Sequence, residues 1–241
     1  MRLAFSAPPP GALAPAVAAA AGRGASLLVL PEAADDAPPE PSDGGPAIEA
    51  AGLARRHGIA ILRGYVERCV TGIYGAAMLI DRQGVCIANY RQAHLRDDVQ
   101  RRDPARRPGQ WLSAMPVEGV RLGLLIGYDI EFPEPARALA LAGCGLIAVL
   151  GGASDSDAGM LLPARARENR CWIAQGGAAP RLVGPDGAGR RLTEAAGGVW
   201  LGDAEGAGSP DAARAALMAA RQPRLYQELV IPRAAEQVRP S

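Results

Sequence analysis

The chain of 241 residues carries a net charge of +1, with 26 Lys plus Arg against 25 Asp plus Glu, and 49% of its residues are apolar. That length buries a sizeable core in one layered domain, and near-neutrality offers no electrostatic footing for nucleic acid or an anionic membrane surface. No apolar run reaches membrane-spanning length, so neither nucleic acid nor membrane is an expected partner.

Leu3 to Ser6 reads as a short opening strand, cut off by Pro8–Pro10. A helix is predicted over roughly 11–22, ending at Gly22 or Gly24, where a left-handed residue is favoured. The continuous apolar run Ser26-Leu-Leu-Val-Leu30, closed by Pro31-Glu32, has the pattern of a strand buried on both faces. Residues 33–46, rich in Pro, Asp and Gly, read as loop, 46–57 as helix and 59–66 as strand. Strands near 73–80 and 85–90 flank Asp81-Arg-Gln-Gly84, a hairpin turn in which Gly supplies the positive φ. An Arg-rich loop is expected over 91–110, then a hairpin at Glu118-Gly119 and a strand over 120–126. Pro133 opens a helix to about 142, since proline suits a first helical turn. Strand 145–150, helix 160–170 and strand 171–176 continue the alternation. Residues 180–201 are hairpin-like, turning on Pro185-Asp-Gly187, and 210–221 are helical.

Strands alternating with helices and interrupted by hairpins predict an α/β sheet sandwich covered by helices. With no linker to divide it, a single domain over 1–241 is expected, with 222–241 as a tail. Cys69, Cys86, Cys144 and Cys171 form no C-x-x-C pair, and His57 and His94 lie far apart, so no metal and no cofactor are expected. Buried free thiols in a reducing compartment are the plain reading. The apolar stretch 12–21 follows a proline break and reads as the first helix rather than a leader, so a cytoplasmic protein is expected.

Catalytic residues in α/β folds gather where buried strands end, and three strand ends stand out. Leu28-Val-Leu-Pro-Glu32 places a carboxylate after a buried strand, which alone reads as a solvated or cap-forming Glu. Asn89-Tyr-Arg-Gln-Ala-His-Leu95 runs from a strand into a polar loop. Leu124-Leu-Ile-Gly-Tyr-Asp-Ile-Glu-Phe-Pro-Glu134 breaks sharply from a strand into a Pro-started helix, an elbow able to present a residue to a pocket.

Together the three segments resemble the nitrilase, or carbon–nitrogen hydrolase, superfamily. Leu30-Pro31-Glu32 matches the family's strand-end glutamate, Tyr90-Arg-Gln-Ala-His-Leu95 its Y-R-K-x-H-L, and Ile126-Gly-Tyr-Asp-Ile-Glu-Phe-Pro-Glu-Pro-Ala-Arg137 its I-C-Y-D-x-x-F-P-E-x-x-R. Ala164-Arg-Ala-Arg-Glu-Asn169 is similar to the family's A-R-A-x-E-N helix, and Arg221-Gln-Pro-Arg-Leu-Tyr226 to its R-R-P-x-L-Y ending. The resemblance implies a four-layer α-β-β-α sandwich, an amidase-like chemistry and a homodimer or higher oligomer, or a partnership with an active relative. In that chemistry a thiolate attacks an amide or nitrile carbon, the glutamate moves the protons, and the lysine stabilises developing charge.

The chain departs from this pattern at decisive positions. Gly127 stands at the nucleophile position, Gln92 at the lysine position, and only Glu32 remains at the base position. The stretch Val99 to Gly109 holds no second glutamate, only Asp103. Removing the nucleophile of a serine protease lowers kcat by about 10⁶, so the expectation is a pseudoenzyme keeping the fold for small-molecule binding or subunit assembly. A small amide or amine is its expected ligand, beside Tyr128, Asp129, Glu131 and Phe132. The alternative is a cysteine-independent amidase in which Glu32 activates water. Arg137 is expected to brace the elbow helix, Glu168 and Asn169 to support site loops, and the Arg cluster over 101–107 to be a solvated loop. Trp111, Trp172 and Trp200 are expected in the core or an interface.

Overall fold

The apolar runs become strands whose two faces are both covered. The computed structural model describes residues 1–9, 11–151, 155–209 and 211–229, without the side chains of 155–158 and 228. Among these, a seven-stranded sheet runs β12 (Thr193–Ala195), β13 (Val199–Asp203), β1 (Arg2–Ser6), β2 (Leu27–Val29), β3 (Ala60–Cys69), β4 (Gly72–Ile80), β5 (Cys86–Arg91). A six-stranded sheet runs β11 (Gly189–Arg190), β10 (Arg181–Val183), β9 (Trp172–Gly176), β8 (Leu146–Leu150), β7 (Val120–Ile126), β6 (Ser113–Val117). Parallel pairing holds the centres, β1–β2–β3 in one sheet and β7–β8–β9 in the other, with antiparallel strands outside.

The two-residue period of a strand explains why these runs show no polar alternation. In β7, Leu122, Leu124 and Ile126 enter the core between the sheets, while Leu125 joins the cluster under the helices. In β8, Leu146, Ala148 and Leu150 face inward, and Ile147 and Val149 face outward. Leu27 and Val29 of β2 meet this inter-sheet core, and Leu28 faces α1 (Leu13–Gly22) and α2 (Gly45–His57). The helices α4 (Pro133–Leu141) and α5 (Asp155–Asn169) cover the six-stranded sheet. Each fully buried Leu or Ile contributes about 1.5–3 kcal/mol. The result is the four-layer α-β-β-α sandwich.

Several local expectations need correction. The loop expected over 91–110 contains a helix, α3 (Asp97–Arg102), whose acidic first turn and basic last turn suit the helix dipole. Helix α5 starts at Asp155 rather than near 160 and keeps Pro163 inside it. Residues 180–201 form two hairpins rather than one, β10–β11 in one sheet and β12–β13 in the other. Cys144 and Cys171 are buried, but Cys69 is half-buried and Cys86 exposed, both near strand ends at hairpin turns. Trp172 is buried, Trp200 half-buried, and Trp111 82% exposed, so Trp111 is no core residue.

The described residues divide into two compact units, one within 1–209 and one within 211–229. The first holds both sheets. In the second, the Asp211 side chain caps α6 (Ala212–Ala219) by accepting from the Ala213 and Arg214 N–H groups. Two short 3-10 turns separated by a kink at Tyr226 follow within Pro223–Leu229, and the rest of the expected tail lies outside the described residues.

Candidate active site

Four strand ends from both sheets meet at one end of the sandwich. Past β2 the backbone still pairs with β3, Leu30 N–H donating to Leu62 O at 2.9 Å and Gly64 N–H to Pro31 O at 3.2 Å, so Glu32 leaves the sheet on a fixed backbone. Gln92 follows directly on β5, its N–H donating to Gly75 O at 2.8 Å and its carbonyl accepting from Gly109 N–H at 2.7 Å. Gly127 follows β7 and opens a 3-10 turn over Gly127–Glu131. Gly151 follows β8.

Gly127 has φ +45°, where a side chain costs about 1–2 kcal/mol. A Cβ built there would stand 2.7 Å from Glu32 Oε2 and 3.4 Å from Gln92 Nε2. The structure therefore brings Glu32, Gln92 and Gly127 around one point. Gly151 is a fourth participant that the sequence reading missed. It has φ +68°, and a Cβ there would overlap the Glu32 carboxylate. Its carbonyl is held by Gln175 Nε2 at 3.0 Å. The trace of this in the sequence is the Gly pair that ends the buried run of β8.

A cavity of about 350 Å³ opens over this point, with Glu32 exposed to solvent. Tyr128 and Glu131 line it, together with Leu95, Arg96 and Val99, which sequence reasoning did not single out. Asp129 and Phe132 do not line it. Asp129 is fully buried and accepts from Tyr90 Oη at 2.7 Å, His94 N–H at 2.9 Å and Ile126 N–H at 3.1 Å, with His94 Nδ1 at 2.9 Å. It ties the end of β5 to the turn, its carboxylate engaged by protein groups on both oxygens. Phe132 stacks on His94 at 4.1 Å between ring centroids and meets the Tyr128 ring edge-on at 5.3 Å. Burial, reinforced by the Asp129 carboxylate, pushes ionisation of the Tyr90 hydroxyl well above its ordinary range.

The turn is braced from α5. Buried Arg165 donates from Nε to Ile130 O at 3.2 Å and from Nη2 to Glu131 O at 2.9 Å, and pairs with Glu168 Oε1 at 3.2 Å. Arg137 donates to Glu168 O at 2.8 Å, linking α4 to α5, and buried Asn169 donates to Arg165 O at 2.9 Å. The Arg-rich segment is not simply solvated: Arg102 bridges Asp98 and Asp35, and buried Arg106 donates to Asp35 O at 2.9 Å. Asp103 accepts from Ala105 N–H and lies 3.4 Å from Arg106 Nε, outside the cavity lining.

A protein-family model described as Carbon-nitrogen hydrolase matches residues 11–186. A Pseudomonas protegens protein named hydrolase in pqqF 5'region is 43% identical over 164 residues, covering 62% of this chain and 57% of that protein. Human deaminated glutathione amidase is 33% identical over 181 residues, 64% of this chain and 55% of that enzyme. The chain thus spans about half the length of the curated relatives it matches. Among solved structures, a glutamate-to-glutamine mutant of the amidase from Nesterenkonia sp. AN1, showing the Michael addition of acrylamide at its active-site cysteine, superposes with a TM-score of 0.75. It is 25% identical, over 95% of this chain and 99% of that one. A mutant of that amidase in complex with butyramide gives a TM-score of 0.73 at 26% identity, over 95% and 96% of the two chains.

Proposed function

We propose, from the premise that this chain belongs to the carbon–nitrogen hydrolase family, that it keeps the family's pocket without the nucleophile and binds a small amide rather than cleaving it through a thiol. The observation that carries this reading is the surroundings of Gly127. The Cβ position points at the Glu32 carboxylate and the Gln92 amide, as a nucleophile between a base and a charge stabiliser must, yet glycine offers no reacting atom. None of the four cysteines lines the cavity. Gln92 contributes no positive charge.

What remains suits recognition of a carboxamide. Gln92 Nε2 donates one hydrogen to Ile126 O at 3.1 Å, which leaves its second N–H for a ligand carbonyl. The Glu32 carboxylate accepts from the ligand's NH₂. An amide presents that acceptor and donor side by side. The nucleophile position has also relaxed: a side chain at φ +45° is strained, as is usual at a nucleophile elbow, and glycine there is not.

Ammonia release from short amides such as butyramide tests the reading. The unaltered chain is expected to release none above background, and Gly127→Cys combined with Gln92→Lys to recover turnover. Turnover by the unaltered chain that vanishes in Glu32→Ala overturns the reading in favour of water attack driven by Glu32.

A further inference from the structure

Resting on the amide-binding reading, we propose that this pocket selects carboxamides that also carry a positive charge, an aminoalkyl amide over a neutral alkyl amide, with Glu131 setting the preference. The charged groups of the lining are three carboxylates, Glu32, Asp35 and Glu131, against one guanidinium, Arg96. Two of these come with opposite partners: Asp35 lies 3.3 Å from Arg102, and Arg96 Nε lies 3.7 Å from Asp98. Glu131 differs. Among the described residues no cation stands within ion-pair distance of its carboxylate. Arg165 reaches only its backbone oxygen and commits its other nitrogen to Glu168.

Glu131 ends the 3-10 turn that Gly127 opens. At a rise of about 2 Å per residue, the turn sets it roughly 8 Å along the wall from the amide position. An ammonium three methylenes from a carboxamide spans that gap once a hydrogen-bond length is added. A cleft in which carboxylates outnumber cations focuses its field on such a ligand, and salt weakens the effect. With Gln92 adding no charge, Arg96, paired with Asp98, is the one cationic side chain among the described lining residues.

Calorimetric titration with butyramide, 4-aminobutyramide, succinamate and propylamine at pH 7 tests this. The aminoamide is expected to bind about tenfold tighter than butyramide at low salt, the ratio falling to about threefold in 0.5 M NaCl. Succinamate is expected to bind weakest, and Glu131→Gln to bring the aminoamide-to-butyramide ratio close to one. Butyramide binding with no gain for the aminoamide, or a ratio insensitive to both salt and Glu131→Gln, overturns the charge preference and leaves the amide pocket standing. Propylamine binding as tightly as the aminoamide, or no amide binding at all, overturns the amide reading and this inference with it.

Discussion

Tyr90 is 1% exposed and gives its hydroxyl hydrogen to Asp129, itself sealed from solvent, so the pair is a fixed point on which the turn after β7 rests. Burial, with the neighbouring carboxylate, keeps the Tyr90 hydroxyl un-ionised to well above the ordinary tyrosine range, and burial chiefly does the same for Tyr65. A tyrosine whose folded-state pKa is raised contributes stability that is complete below the unfolded value near 10 and is lost as pH rises above it. Chemical denaturation as a function of pH is therefore expected to show stability falling above about pH 10. Tyr90→Phe should cost about 1–3 kcal/mol at neutral pH, by leaving Asp129 short of a donor, and should flatten the alkaline decline. A decline equally steep in Tyr90→Phe would assign it to other groups. The positions of Glu32, Gln92 and Gly127 are legible through the family resemblance of the three segments that hold them; the strand pattern alone leaves Glu32 a solvated or capping residue. Asp129 does not line the cavity because a 3-10 turn repeats every three residues, which puts Gly127, Tyr128 and Glu131 on the cavity wall and Asp129 and Ile130 in the interior. Phe132 lies past the turn, stacked on His94, and a segment read as an elbow gives no period from which to tell the two sides apart.

At the scale of elements, the turn Gly127–Glu131 depends on α5 through one buried guanidinium. Arg165→Ala strands two carbonyls that now accept charged hydrogen bonds, and is expected to lower the unfolding free energy by about 2–4 kcal/mol. Arg165→Lys should restore only part of it, since an ammonium cannot reproduce the planar fork. Urea denaturation of the two variants checks the order, and equal losses would mean that charge alone braces the turn. Arg165 sat inside a recognised motif, but its partners lie on the other side of β8 in sequence, so no local pattern could name them. Helix α3 was missed for a different reason. None of its residues is buried, so it has no apolar face to read, and the only sequence trace was acid before base across six residues.

For the whole molecule, the layered sandwich followed from runs too apolar to have a wet face, but the order of strands did not. Strand β1 pairs with β13 from Ser6 opposite Val199 to Arg2 opposite Asp203, a register fixed across almost the entire chain and by nothing local. That pairing covers an edge of β1 that would otherwise be open. A chain ending at Ser209 is expected to keep one cooperative melting transition, and a chain ending before Val199 to lose it. A cooperative melt in the shorter chain would show β13 to be dispensable. The core lies between the sheets and beneath the helices, whereas Glu32, Gln92 and Gly127 stand beyond the strand ends and belong to none of its clusters. The residues that fill the layers and those that face the cavity are therefore largely separate sets. That separation makes this end of the molecule a place to install a different reactive group without redesigning what lies beneath.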